Sequence, residues 1–211
     1  MIKFPKTFFV SGTDTDIGKT FVSAILTAGL KAHYWKPIQS GIIQGTDTEF
    51  VKKATKLPNS HFHAELVALK EPLSPHEAAE LENIAIAEND LMIPENLQKL
   101  DSHLVIEGAG GLMVPINWDF MIIDLIKKWE IPVVLVVRSA LGTLNHTLLS
   151  IEALKARGIP IFGLIMNGPI NKGNFNSLSR LTDVRILAQI PVIENTEKVN
   201  FEGLFNEYFI K

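Results

Sequence analysis

The segment Gly12-Thr13-Asp14-Thr15-Asp16-Ile17-Gly18-Lys19-Thr20 constrains this chain more than any other stretch. It follows a short apolar run, Thr7 to Val10, and opens a segment of helical period. A loop of this composition between a strand and a helix turns successive backbone N–H groups and the helix N-terminus toward one point, where phosphate oxygens are held. The lysine neutralises those oxygens and the hydroxyl after it reaches a magnesium ion. Lys19 and Thr20 occupy those positions, while Gly12 and Gly18 stand one residue further apart than the usual spacing, which puts Thr13 in the first-glycine place. The competing reading, a glycine-rich turn with an exposed lysine, sits poorly with the preceding strand and the Gly-Lys-Thr triplet. Asp14 and Asp16 stay open between capping the helix and holding loop, metal or ribose through solvent.

The remaining pattern agrees with such a start. His33 to Trp35, Leu104 to Ile106, Pro132 to Val137 and Ile161 to Met166 are nearly continuous in apolar residues, the form of strands buried on both faces. Lys19 to Lys31 and Asn145 to Arg157 carry apolar residues at helical spacing, the second stopping at Gly158. Strand then helix, repeated, predicts an α/β fold of P-loop type, a mostly parallel sheet with helices on both faces. At 211 residues, without a repeat or a long linker, residues 1–211 read as a single ATP-binding and catalytic domain. A net charge of -3 with scattered Lys and Arg argues against nucleic acid and against a polybasic membrane patch. The absence of cysteine excludes disulfides, thiolate catalysis and Cys-based zinc sites. With no signal-like N-terminus and no apolar stretch of spanning length, the expected location is the cytoplasm, with no membrane partner.

Two further segments carry charge at strand ends. Glu107 closes the apolar run of Leu104 to Ile106, and Gly108, Ala109 and Gly110 after it allow a close backbone approach. A carboxylate there is suited to Mg²⁺, directly or through water, against the plainer reading of an exposed acid before a turn. Lys36 follows Trp35, with Pro37 barring helix and Ser40-Gly41 forming a turn; by itself this lysine is as readily a solvated one. Asp47 lies inside Thr46-Asp47-Thr48-Glu49, which has the form of a capping box, so a purely capping role competes with a metal role. The six histidines form no compact metal pattern, and for His76 and His146 an exposed or hydrogen-bonded structural role stands against a substrate contact. The three tryptophans read as core.

Taken as a set, GTDTDIGKT (12–20), YWKPIQSG (34–41), SPHEAA (74–79), EGAGGLMVP (107–115) and LGTLNHTLLSIEALKARG (141–158) resemble dethiobiotin synthetases in order and spacing. The resemblance implies a homodimeric ligase that joins CO₂ to 7,8-diaminononanoate with ATP and Mg²⁺, yielding dethiobiotin, ADP and phosphate. One amine forms a carbamate, ATP phosphorylates it, and the second amine closes the ring. The resemblance makes Lys19 and Lys36 the catalytic cations and puts Thr20, Asp47 and Glu107 around magnesium. It gives Ser40 a substrate contact and lines the nucleotide site with residues 13–20, Glu107, Gly108, Ala109 and Gly110. Asn167-Gly168 corresponds to the reader of adenine, whose amide offers one donor and one acceptor; an αL turn asparagine is the other reading. The turn Gly142-Thr143-Leu144-Asn145 would hold the substrate carboxylate across a dimer interface, unless Thr143 or Asn145 simply caps its own helix. A switch ATPase of the partition or septum-positioning class is the alternative, but those proteins carry a second lysine early in the loop, where this chain has Asp14.

Overall fold

In the computed structural model, which describes residues 2–196 and 199–209, the chain begins with β1 (Thr7–Gly12), α1 (Lys19–Leu30), β2 (His33–Trp35) and β3 (Ile38–Ser40). There follow α2 (Asp47–Thr55), β4 (Phe62–His63), β5 (Val67–Leu69), α3 (Pro75–Leu81) and α4 (Glu95–Gln98). Next come β6 (Leu104–Gly111), β7 (Pro115–Asn117), β8 (Phe120–Met121), α5 (Ile122–Trp129) and β9 (Val133–Arg138). The last elements are α6 (Thr143–Ala156), β10 (Ile161–Asn167), α7 (Lys172–Leu181), β11 (Ile186–Ile190) and α8 (Phe201–Phe209).

Seven strands form one parallel sheet in the order β11-β10-β9-β1-β6-β2-β4. Early connections leave β1 toward β2 and later ones leave it toward β10, and ligands bind beyond the carboxyl ends of strands at such a reversal. Successive residues of a strand face opposite sides. Phe8 and Val10 therefore join the cluster under α1 and α8, with Val22, Ile25, Phe201 and Phe205. Phe9 joins the opposite cluster with Ile126, Leu135, Ile151 and Leu154 under α5 and α6. Apolar burial on both faces is why these strands read as unbroken apolar runs in the sequence. Among the described residues no helix is long and apolar enough to cross a membrane.

Boundaries differ from the sequence reading in ways that matter for the site. β6 runs on through Gly111, because Val10 pairs with Glu107 and, after an irregularity, Gly12 pairs with Gly111. Glu107 thus lies within a paired strand, not at its end. Gly108 is required by its neighbour: a Cβ there would lie 2.6 Å from Phe9 Cε1. The helix expected from Asn145 begins at Thr143, with Gly142 as N-cap at φ 93. Trp118 is 69% exposed, donating to Glu80 from a hairpin tip, so one of the three tryptophans is not core.

Candidate active site

Gly18 occupies the N-cap of α1 at φ 87, and among the described residues no side chain caps that helix. The capping role considered for Asp14 and Asp16 is therefore not realised. Asp14 Oδ1 accepts the Thr15 N–H at 2.8 Å, and its other oxygen lies 3.6 Å from the Arg138 guanidinium. Asp16 adopts φ 52. The Thr13 N–H is spent on Val136 O at 3.1 Å, and the Ile17 side chain is buried in the core. Lys19 folds back on the loop, its Nζ 3.1 Å from Asp14 O. Burial lowers the Lys19 pKa and the neighbouring Lys36 charge lowers it further, against the smaller opposing pull of Glu107, Asp47 and Asp16.

Four groups from four elements meet beside the loop. Lys36, just past β2, is 4% exposed; its Nζ stands 2.6 Å from Asp47 Oδ2, 3.3 Å from Glu107 Oε1 and 3.3 Å from Gly108 O. Thr20 Oγ1 lies 2.9 Å from Asp47 Oδ1 and 2.8 Å from Glu107 Oε1, so its single proton serves one carboxylate at a time. Burial alone would raise the Asp47 carboxyl, but the Lys36 charge and the hydrogen bonds from Lys36 and Thr20 hold it below the ordinary value. Burial would likewise depress Lys36, and the Glu107 and Asp47 charges outweigh it and raise its pKa. The two bland readings fail here: Lys36 is not solvated, and Glu107 is 0% exposed. Asp47 is not the cap either. Thr46 and Glu49 form the capping box, as the sequence indicates, and leave the Asp47 side chain turned to the cluster.

This cluster lines a cavity of about 930 Å³ together with Thr15, Asp16, Gly18, Ser40, Ala109 and Gly110. Among the described residues the buried Ser40 Oγ has no hydrogen-bond partner, an orphaned group of the kind a ligand satisfies. A second cavity, about 490 Å³, shares Thr20 and Asp47 with the first and is lined further by Phe21, Phe50, Asn167, Gly168 and Val192. Asn167 lies outside the left-handed region, so the αL reading is not realised; its Nδ2 donates to Ile17 O at 2.8 Å, tying the end of β10 to the phosphate loop. The Gly142–Asn145 segment lines neither cavity. Leu141 before it is 99% exposed, and Thr143 and Asn145 do not cap α6. His76 bonds Ser74 and packs edge-on against Trp118.

Three contributors escaped the sequence reading. Tyr34 donates to Glu107 Oε2 at 3.0 Å, Gln39 Oε1 accepts the Asp47 N–H at 3.1 Å, and the Pro72–Pro75 loop forms one wall of the larger cavity. Only the YWKPIQSG and SPHEAA matches hinted at them, since nothing local says what these residues face.

A family model described as "AAA domain" matches residues 6–200. ATP-dependent dethiobiotin synthetase BioD of Paramagnetospirillum magneticum is 45% identical over 196 residues, 93% of each chain. The protein of the same name from Lawsonia intracellularis is 44% identical over 197 residues, again 93% of each. The chain belongs to the dethiobiotin synthetase family. It also matches the biotin biosynthesis bifunctional protein BioCD of Bordetella avium, 47% identical over 90% of this chain and 40% of that protein's length. Solved structures similar in fold include a putative plasmid partition protein of Borrelia burgdorferi bound to AMPPNP (TM-score 0.56, 13% identical, 97% of this chain and 96% of that one). The septum site-determining protein MinD with Mg-ADP from Pyrococcus horikoshii gives TM-score 0.52 at 16% identity, over 95% and 94%. At such identities these show the shared fold alone, and the dethiobiotin synthetase relatives decide for a synthetase over a switch ATPase.

Proposed function

We propose that this chain makes dethiobiotin from 7,8-diaminononanoate, CO₂ and ATP, as one ATP-binding and catalytic domain acting in the cytoplasm. The observation that carries the reading is the convergence of Lys19, Thr20, Lys36, Asp47 and Glu107 on one cavity in a chain of this family. Negative charge gathers on the carbamate and on the phosphoryl group that ATP transfers to it, so catalysis rests on positioning and on cations. In this reading Lys19 neutralises the nucleotide phosphates, Lys36 faces the carbamate, and Ser40 Oγ contacts the diamine. The N–H groups of Asp14, Asp16, Ile17 and Gly18, with the backbone of Glu107–Gly110, surround the phosphates, since the Thr13 and Thr15 N–H groups are already engaged. The smaller cavity receives the base, with Asn167 offering Oδ1 as acceptor and the second Nδ2 hydrogen as donor, the first being engaged by Ile17 O.

The oxygen set fits Mg²⁺. Two carboxylate oxygens lie against one hydroxyl with a single proton, a cluster of the hard oxygen donors that this ion takes. Among the described residues no three His, Cys, Asp or Glu converge, so Thr20, Asp47 and Glu107 would hold the ion with phosphate and water completing its shell. When bound, it supplies charge neutralisation between phosphates.

A homodimer completes this reading. The exposed Gly142 turn does not face its own cavity, and α6 has no side-chain cap, which leaves first-turn N–H groups for the carboxylate tail of a diamine held mainly by the other subunit. Incubating the purified chain with diaminononanoate, bicarbonate, Mg²⁺ and ATP, and weighing the product, tests the proposal. Dethiobiotin with equimolar ADP is the expected result; ATP consumption without that mass overturns it.

A further inference from the structure

Glu107 is wholly buried, and its two oxygens are used differently. Oε1 points to Thr20 and Lys36 at the cavity, while Oε2 accepts the Tyr34 hydroxyl at 3.0 Å. Among the described residues Oε2 has no other partner. Tyr34 and Glu107 sit on neighbouring strands, since β2 pairs with β6 and Tyr34 aligns with Val105. The Tyr34 ring packs in the core cluster that also holds Val22 and Val51. A phenylalanine would fill that space equally well, so the hydroxyl answers to the carboxylate and not to the packing.

We infer that Tyr34 is a positioning residue, whose hydroxyl pins the inner oxygen of Glu107 and thereby keeps the outer one aimed at the cation and phosphate side of the cavity. The inference rests on the proposed metal-side role of Glu107. Without the hydroxyl the carboxylate is free to turn about its Cγ–Cδ bond and to close with both oxygens on the Lys36 ammonium, already 3.3 Å away. A carboxylate so neutralised is a poorer partner for a divalent ion. Hydrogen bonds that orient ligating carboxylates change metal affinity by about 10–100-fold when removed.

The test uses Mn²⁺ as the probe, titrated by electron paramagnetic resonance into ADP-saturated protein. Tyr34→Phe is expected to weaken Mn²⁺ binding by about 10-fold or more, to raise the Mg²⁺ needed for half-maximal turnover by a similar factor, and to leave metal-free ADP binding and the KM for the diamine unchanged. Mn²⁺ binding within about twofold of the unaltered protein overturns the inference. If Tyr34→Phe does not fold, tyrosine labelled with ¹³C at Cζ decides in the unaltered chain, which has two tyrosines. Addition of Mg²⁺ to the ADP complex should move the Tyr34 signal and spare that of Tyr208; a static Tyr34 signal overturns the inference. Glu107→Gln separates the two levels. Unchanged Mn²⁺ binding in that variant overturns the metal reading and this inference together, whereas weakened binding there beside unchanged binding in Tyr34→Phe overturns this inference alone.

Discussion

Lys36→Met retains the aliphatic stem of the buried lysine and deletes its charge. Asp47 and Glu107 are then left in contact through one Thr20 hydroxyl, with Lys19 the nearest cation influencing Asp47. Removing one partner of a buried ion pair costs about 3–5 kcal/mol. The Asp47 side chain is 31% exposed and recovers part of its solvation, so the lower end, about 3 kcal/mol, applies here. For a domain of this size that is a fall in Tm of about 6–12 °C. The pH dependence gives a second signature. Asp47, with a depressed carboxyl, contributes stability that is present above the ordinary carboxylate range and is lost as pH falls through its folded value. Lys36, raised, contributes stability present below the ordinary lysine range and lost only as pH rises through its folded value. The unaltered site therefore loses stability only toward strong acid or strong base. In Lys36→Met the chief force depressing Asp47 is gone and burial opposes its charge, so the gap in Tm between variant and parent should narrow between about pH 8 and about pH 5. Calorimetry across that range, with dethiobiotin formation measured alongside, is the assay. Lys36→Met/Glu107→Gln should recover most of the lost Tm while turnover stays down by about 10²-fold or more. A single variant as stable as the parent at neutral pH, or a double variant no better than the single, would refute the ion-pair argument.

Lys19→Ala should lower ATP-dependent turnover by about 10²-fold or more with the circular dichroism spectrum unchanged, since it deletes the loop's phosphate cation; retained turnover removes the loop from the chemistry. Asp47→Asn and Glu107→Gln should both raise the Mg²⁺ needed for half-maximal activity, and comparably. A purely capping Asp47 would make its variant the milder one, but Thr46 and Glu49 already do the capping. Mixing Lys36→Ala subunits with Gly142→Trp subunits, each inactive alone, should restore activity as hybrids form, because one site then has both an intact lysine and an intact turn. A Cβ at 142 would meet no heavy atom within 4 Å among the described residues, though φ 93 strains any side chain there, so the folding of Gly142→Trp is checked by Tm. Proven subunit exchange without recovery sinks the shared site.

Contiguous devices were legible from residue order. Gly18-Lys19-Thr20 reads as a phosphate loop because strand, loop and helix N-terminus are neighbours along the chain, and Thr46–Glu49 reads as a capping box because its hydrogen bonds close within one turn. Both-face burial made β1, β2, β9 and β10 visible as apolar runs. β11 and α8 were missed: Ile186–Ile190 interrupts its apolar residues with Gln189, and α8 is recognised by its packing on α1. The cluster itself depends on which strands become neighbours. Lys36 reaches Glu107 across 71 residues and Tyr34 reaches it across 73, only because β6 inserts between β1 and β2. Whether Asp47 caps a helix or pairs with a buried lysine is decided by the face of α2 turned toward the sheet, and whether Asn167 is a turn residue or a tie to Ile17 by the packing of β10 beside the loop. Spacing along the chain encodes bonds made within a turn; long-range partners are selected by the packing that buries the sheet, and that is a property of the whole fold.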